Sequence, residues 1–147
     1  MTELRDLYQQ LILDHNQHPR NFGVLEGADL MARGNNPLCG DQLDLYVALE
    51  DDSIKDIRFE GSGCAIFKSS TSIMTTVVKG KTRGEALEIF ERFHRLATTG
   101  EVDAAEMGKL AALASVYKYP VRVKCALLAW RTLETALQEQ GEIVSTE

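Results

Sequence analysis

Three cysteines and one aspartate are the residues of this chain best suited to chemistry. Cysteine occurs only at Cys39, Cys64 and Cys125, and Asp41 follows the first of them by two positions. The first cysteine lies in a loop over residues 34–41 that is punctuated by glycine and proline. Three thiolates and one carboxylate would complete a tetrahedral shell, which zinc favours with sulfur and oxygen ligands. The sequence therefore predicts a metal or reactive-sulfur site.

Taken singly, each cysteine also fits the role of a small buried hydrophobic residue. The spacing lacks the paired Cys-x-x-Cys of common zinc sites, so it is only moderately specific. The shared context favours a site, because Cys64 precedes a predicted helix N-terminus, where the helix dipole stabilises a thiolate. Cys125 likewise lies in the opening turns of the last predicted helix, flanked by Arg122 and Lys124.

Composition and charge limit the class of protein. The chain has 147 residues, 44% hydrophobic and 26% charged, as expected for one globular domain over residues 1–147. A net charge of -6 without a basic run argues against nucleic-acid binding by phosphate neutralisation. No apolar stretch approaches the ~20 residues of a membrane span. The charged N-terminus lacks an apolar signal core, so we expect a cytoplasmic protein with reduced thiols.

Hydrophobic periodicity and turn residues predict an α+β fold. Residues 42–50 alternate between apolar and polar side chains, which is typical of a half-buried strand. Thr82 and Glu85 form a capping box that begins a helix. The predicted strands are 29–33, 42–50 and 54–60, and the predicted helices are 3–16, 65–78, 82–97, 103–116 and 120 to the stop at Gly141. We expect a small antiparallel three-stranded sheet with helices packed on one face, the metal site at one exposed end, and a frayed tail over 141–147.

Histidines and a hydroxyl-rich helix leave alternatives open. His15 and His18 fit either a ligand pair or polar residues at a helix exit, and the second is favoured because no third partner lies nearby in sequence. His94 is interpreted as a surface or edge residue. The predicted helix over 65–78 carries six serine and threonine residues. They fit equally well a polar lining beneath a metal or small residues that let helices approach.

Three ordered motifs resemble the U-type iron–sulfur scaffold family, which includes IscU, SufU and the N-terminal part of NifU. The motifs are GNNPLCGD at 34–41, GSGCAI at 61–66 and VRVKCA at 121–126, and the resemblance extends over residues 3–140. Lys124 stands where IscU-type members have a histidine, and an inserted helical segment over about 82–103 resembles the SufU type. The Leu-Pro-Pro-Val-Lys segment by which IscU-type members engage a chaperone is absent.

The resemblance implies a zinc site and a partner that donates sulfur. The implied metal ligands are Cys39, Asp41, Cys64 and Cys125. The implied partner is a SufS-type, pyridoxal-phosphate-dependent cysteine desulfurase, which hands over a persulfide sulfur. Cys39 is the candidate sulfur acceptor, because its loop moves more readily than the elements that hold the other cysteines. Arg122 and Lys124 would support catalysis by polarising Cys125 or by meeting the desulfurase.

Three functions stay open at this point. The first is a zinc-dependent, sulfurtransferase-like sulfur acceptor that feeds iron–sulfur cluster assembly. The second is a scaffold that assembles a labile 2Fe–2S cluster on the same ligands and passes it to apo-proteins, because thiolates suit both zinc and clusters. The third is a regulatory module that only binds the desulfurase, for which Asp41→Ala would leave activation intact. The missing histidine and chaperone segment favour the first.

Overall fold

The computed structural model describes residues 2–101, 104–138 and 143–145. The described α-helices are α1 (Thr2–Gln17), α2 (Ala65–Val78), α3 (Arg83–Thr99), α4 (Ala104–Met107) and α5 (Pro120–Leu137), with a 3-10 helix (Gly108–Lys118) before the last. The described strands are β1 (Leu30–Asn36), β2 (Asp41–Glu50), β3 (Ser53–Ser62) and β4 (Ile143–Ser145). Among these residues, none of the helices combines the length and apolar character that crossing a membrane requires.

The strands form one sheet in the order β3-β2-β1-β4. Strand β1 pairs antiparallel with β2, and β2 pairs antiparallel with β3, so the predicted three-stranded antiparallel sheet is confirmed. Asp51 and Asp52 connect β2 to β3 with φ angles of 55° and 89°. Positive φ at both central positions is typical of the type I′ turn, whose twist matches that of the flanking strands. Strand β4 pairs parallel with β1 and was not predicted.

Apolar side chains on one face of the sheet pack against the helices. Leu43, Leu45 and Val47 alternate along β2 and are buried, as the sequence pattern predicts. Trp130 of α5 is also buried and stacks on Phe93 of α3, with ring centroids 5.1 Å apart. The sheet register is strongly specified, because a slip of one residue would turn the apolar face of β2 outward.

Helix α5 approaches strand β1 closely at Gly34. A Cβ at this position would lie 2.3 Å from Oγ1 of Thr132 and 3.0 Å from Cδ1 of Leu128, so the approach requires glycine. The helix begins at Pro120, as predicted, since a proline suits the first helical position. This packing brings the opening turns of α5, and with them Cys125, to the end of the sheet where β1 turns into β2.

The hydroxyl groups of α2 join helices to one another. Ser70 Oγ donates to the carbonyl of Ala126 in α5 at 2.7 Å, and Ser72 Oγ lies 2.7 Å from Nδ1 of His15 in α1. The hydroxyl of Ser69 donates within α2 itself. Between described residues, no hydrogen bond links these hydroxyl groups to a cysteine. The structure therefore favours the interpretation in which small residues let helices approach.

The structure differs from the sequence prediction between α3 and α5. A helix was expected over 103–116, but α4 ends at Met107 and a 3-10 helix follows. The α-helix stops because Gly108 adopts a φ of 56°, in the left-handed region that ends helices. The predicted start at Asp103 and stop at Gly141 lie outside the described residues. Of the predicted frayed tail, 143–145 form β4 and the rest also lies outside the described residues.

Candidate metal centre

The turn between β1 and β2 presents the first cysteine. The backbone N–H groups of Cys39 and Gly40 both donate to the carbonyl of Asn36, at 3.2 and 2.8 Å. Gly40 has a φ of 73°, which glycine adopts without steric cost. Cys39 is half-buried, and Leu38 beside it is 60% exposed. The first thiol therefore lies in a tight turn at an accessible end of the sheet.

The carboxylate of Asp41 is buried and has a partner for each oxygen. Its Oδ1 accepts from the backbone N–H of Cys64 at 2.9 Å, and its Oδ2 accepts from Nδ2 of Asn36 at 3.2 Å. Gly63 makes this arrangement possible, because a Cβ there would lie 2.2 Å from Asp41 Oδ1. Buried carboxylates require such partners, and hydrogen bonds to the charged form stabilise it. Asp41 thus ties the turn after β1 to the start of α2.

Cys64 is the N-cap of α2. Its backbone is extended, with φ -73° and ψ 168°, and its Sγ accepts from the backbone N–H of Phe67 at 3.4 Å. The sequence placed this cysteine at or just before a helix N-terminus, and the helix bounds Ala65–Val78 agree. A thiolate at this position gains from the free N–H groups and from the helix dipole.

Cys125 is the most buried of the three cysteines, with 1% of its surface exposed. Its Sγ lies 3.2 Å from Sγ of Cys39 and 3.4 Å from Nδ2 of Asn36. Burial raises the pKa of the Cys125 thiol far above its ordinary value, and the neighbouring Cys39, Asp41 and Cys64 side chains add to this rise in pKa. In the metal-free protein Cys125 is therefore a thiol, whereas a bound cation would favour the thiolate.

Three of the four predicted ligands form one cluster. Sγ of Cys39, a carboxylate oxygen of Asp41 and Sγ of Cys125 all lie within 4.8 Å of one another. Sulfur ligands of one tetrahedral zinc ion would lie roughly 3.8 Å apart, given Zn–S bonds of ~2.3 Å. Cys64 is not within this 4.8 Å group, although its side chain affects the pKa of Cys125. The combination of sulfur and oxygen donors fits zinc.

The two predicted supporting cations, Arg122 and Lys124, lie in the opening turns of α5. Arg122 is exposed, and its guanidinium lies over the ring of Tyr119 at 4.5 Å from the centroid. Lys124 is half-buried one residue before Cys125. Within the part of the chain that the structure describes, neither forms an ion pair or hydrogen bond with a candidate ligand. Both cations therefore belong to the surface around the cluster.

The histidines do not join the described metal cluster. His15 is buried, and its Nδ1 lies 2.7 Å from Ser72 Oγ. Ser72 Oγ also accepts the backbone N–H of Arg20 at 2.8 Å. His94 lies elsewhere, on α3, with Nε2 3.4 Å from Nη2 of Arg131. The sequence favoured a helix exit for His15, but its burial and its bond to α2 appear only in the fold.

Asn36 and Gly63 take part in the site, although sequence analysis had not selected them. Asn36 is fully buried and donates to both Asp41 and Cys125, while Gly63 leaves room for the Asp41 carboxylate. A signal for each was present in the motifs, since the asparagine stands within the Gly/Pro loop and the glycine directly precedes Cys64. Neither residue type predicts such a contact by itself.

An open cleft of about 560 Å³ borders the site loop on the sheet side. Its lining residues include Asn36, Pro37 and Gly40 of the loop and Glu60 of β3. The loop that carries Cys39 therefore has solvent along one of its flanks.

Comparison with known proteins identifies close relatives. The chain is 40% identical over 142 residues to the zinc-dependent sulfurtransferase SufU of Bacillus subtilis, covering 95% of this chain and 96% of that protein. It is 39% identical over 142 residues to the iron–sulfur cluster assembly scaffold protein IscU of Streptococcus pyogenes, covering 96% of this chain and 89% of that protein.

A solved structure has the same fold. The crystal structure of a proposed iron–sulfur cluster assembly scaffold protein for the SUF system, from Fervidobacterium islandicum, matches with a TM-score of 0.82. The two chains are 39% identical, and the match covers 87% of this chain and 94% of the other. The model of the NifU-like N terminal domain family matches residues 7–139. On this evidence the chain belongs to the NifU-like N-terminal domain family, as its three motifs predicted.

Proposed function

We propose that this protein is a zinc-dependent sulfur acceptor that takes persulfide sulfur from a cysteine desulfurase for iron–sulfur cluster assembly. The observation that carries the proposal is that the thiols of Cys39 and Cys125 lie together with the carboxylate of Asp41. Of these three side chains, that of Cys39 belongs to a surface turn. The relative from Bacillus subtilis, named a zinc-dependent sulfurtransferase, supports this choice. The proposed setting is the cytoplasm.

The proposed metal ligands are Cys39, Asp41, Cys64 and Cys125. Bound zinc would keep these sulfur atoms deprotonated and protect them from oxidation. Three of the four ligands have fixed positions. Asp41 is held by two hydrogen bonds, Cys64 caps α2, and Cys125 is buried on α5.

Cys39 is the proposed acceptor because its surroundings let it move. Its turn has an exposed tip at Leu38 and is held by backbone bonds to a single carbonyl, that of Asn36. In the transfer step, the Cys39 thiolate attacks the outer sulfur of the donor persulfide. A new S–S bond forms on Cys39, the donor S–S bond breaks, and the donor cysteine leaves as a thiolate, so no external oxidant or reductant is needed.

The proposed donor is a SufS-type, pyridoxal-phosphate-dependent cysteine desulfurase. Its docking surface would include the face around the N-terminus of α5, where Tyr119, Val121 and Arg122 are exposed. Arg122 and Lys124 would supply positive charge to this face of a protein whose net charge is -6. Their role is to bind the partner, because neither forms a described hydrogen bond to the cluster.

A 2Fe–2S scaffold is the second candidate function. The donor set suits it, since thiolates also ligate clusters, and the relative from Streptococcus pyogenes is named a scaffold protein. Metal and acid-labile sulfide per chain, measured on protein purified without reconstitution, separate the two functions. About one zinc without sulfide per chain supports the sulfur acceptor. Iron with matching sulfide would replace it with the scaffold.

Asp41→Ala tests whether desulfurase activation requires the metal site. The variant should lose zinc and should no longer stimulate desulfurase turnover, because it removes one ligand and unties Cys64 from the β1–β2 turn. Asp44→Ala is the matched control. Asp44 lies on the same strand but forms a surface ion pair with Arg33 at 3.1 Å, so its loss should leave both properties unchanged. Full stimulation by the zinc-free Asp41 variant would favour a regulatory module instead.

A further inference from the structure

Asn36 connects several parts of the site. It is the last residue of β1 and is fully buried. Its Nδ2 donates to Oδ2 of Asp41 at 3.2 Å and to Sγ of Cys125 at 3.4 Å. Its backbone carbonyl accepts the N–H groups of Cys39 and Gly40. One asparagine therefore contacts two candidate ligands through its side chain and shapes the turn that carries a third.

The orientation of the Asn36 amide is dictated by its neighbours. A carboxylate accepts hydrogen bonds only, so the NH₂ group must face Asp41 and the oxygen must point away. That oxygen, Oδ1, is buried and has no hydrogen-bond partner among the described residues. A buried polar atom without a partner is costly, and a small apolar residue would avoid the cost. The benefit of the asparagine must therefore come from its two donor contacts.

The three cysteine sulfurs differ in the hydrogen bonds that they accept. Cys64 Sγ accepts a backbone N–H from Phe67, and Cys125 Sγ accepts the side-chain N–H of Asn36. Among the described residues, no N–H donates to the sulfur of Cys39. It accepts the S–H of Cys125 at 3.2 Å, and this donor is lost once Cys125 binds a metal as the thiolate. An N–H bond withdraws charge from a thiolate and makes it a weaker nucleophile. Cys39 is thus the sulfur whose reactivity is least reduced.

We propose that Asn36 is a positioning residue that holds Asp41 and Cys125 as the fixed metal donors and leaves Cys39 as the reactive sulfur. The inference rests on the proposed function, since it assigns different roles to the ligands of the same site. Asn36 acts through the metal ligands that it contacts, and it need not touch the zinc ion or the incoming persulfide itself. Partners of this kind orient metal ligands, and their loss typically lowers metal affinity about 10- to 100-fold.

The test compares zinc affinity in Asn36→Ala and Asn35→Ala. Asn35 is the same residue type, adjacent on β1, half-buried and turned to the opposite face of the sheet. Zinc competition against a chromophoric chelator should show affinity about 10- to 100-fold weaker for Asn36→Ala, and within a few-fold of wild type for Asn35→Ala. Should the alanine variant not fold by circular dichroism, Asn36→Ser replaces it, because one short hydroxyl cannot donate to both Asp41 and Cys125.

The absorption spectrum of the protein with cobalt in place of zinc gives a second measurement. A general loosening of the fold would not produce the same spectral change as the loss of one hydrogen bond to a ligand. Without the Asn36 donor, the Cys125 thiolate holds its electrons less tightly. The sulfur-to-cobalt charge-transfer band of Asn36→Ala or Asn36→Ser should therefore move to longer wavelength, whereas the Asn35→Ala spectrum should match wild type.

The outcomes separate the two proposals. Wild-type zinc affinity together with an unshifted cobalt band in a folded Asn36 variant would overturn the role of Asn36 and leave the proposed function in place. A wild-type protein that binds no zinc would overturn the proposed function and this inference with it.

Discussion

Gly63→Ala should damage the site by steric displacement of Asp41. The new Cβ would lie 2.2 Å from Oδ1 and 2.9 Å from Cγ of Asp41, and 2.9 Å from Cδ2 of Phe67. Gly63 is not among the glycines with positive φ, so the cost comes from contacts and not from the backbone conformation. The Asp41 carboxylate must therefore move, and it loses the hydrogen bond that its Oδ1 accepts from the backbone N–H of Cys64 at 2.9 Å.

The magnitude follows from the lost hydrogen bond. A bond to a charged group contributes about 1.5–3 kcal/mol, and crowding a packed site adds to the loss. We therefore expect Gly63→Ala to lower the free energy of unfolding by roughly 2 kcal/mol in the zinc-free protein, which for a chain of this length is a fall in Tm of about 4–8 °C. Zinc affinity should fall as well, by about 10- to 100-fold, because Asp41 is a proposed ligand.

The control is the same substitution at Gly84 in α3. A Cβ there would have Thr82 Oγ1, at 4.0 Å, as its nearest neighbour, and Gly84 is exposed within the helix. Alanine should stabilise this position by about 0.4–1 kcal/mol, since it restricts the unfolded chain and favours helix. Urea unfolding and chelator competition measure both variants. If Gly63→Ala matched wild type in stability and zinc affinity, the packing of Asp41 against Gly63 and Cys64 would be refuted.

Two further predictions concern the buried polar groups of the core. Ser70→Ala should lower the free energy of unfolding by about 1 kcal/mol, because it removes the buried hydroxyl that donates to the carbonyl of Ala126. Ser69→Ala should be close to neutral, because the Ser69 hydroxyl donates within its own helix. Equal losses for the two variants in urea unfolding would contradict this prediction. Burial lowers the pKa of His15 in the folded protein from its ordinary value of 6.5 to about 4. Between these two pH values the unfolded chain binds more protons than the folded protein does. The free energy of unfolding should therefore fall as the pH falls through this window. His15→Gln should weaken this dependence in melts across that pH range, His94→Gln should keep it, and an unchanged slope in the His15 variant would be evidence against a buried neutral imidazole.

Local patterns in the sequence determined most of the elements. The capping box of Thr82 and Glu85 formed as predicted, with both reciprocal bonds present. The alternation along β2 correctly assigned the buried face, and Cys64 was correctly placed at the start of a helix. These features depend on residues two to four positions apart, where backbone geometry alone relates one side chain to the next.

The site was determined by tertiary structure. Cys39 and Cys125 are 86 residues apart in sequence yet 3.2 Å apart in space, and Asn36 reaches Cys125 across 89 residues. The sequence named the four candidate ligands through their motifs, but it could not show that Asn36 donates to two of them or that Gly63 makes room for Asp41. The contact of Asn36 with Cys125 arises only when α5 packs on β1, which Gly34 permits. Hydrophobic periodicity predicts which face of its own helix or strand a side chain occupies. Which donor meets which acceptor, and at what distance, depends on how the helices and strands pack against one another.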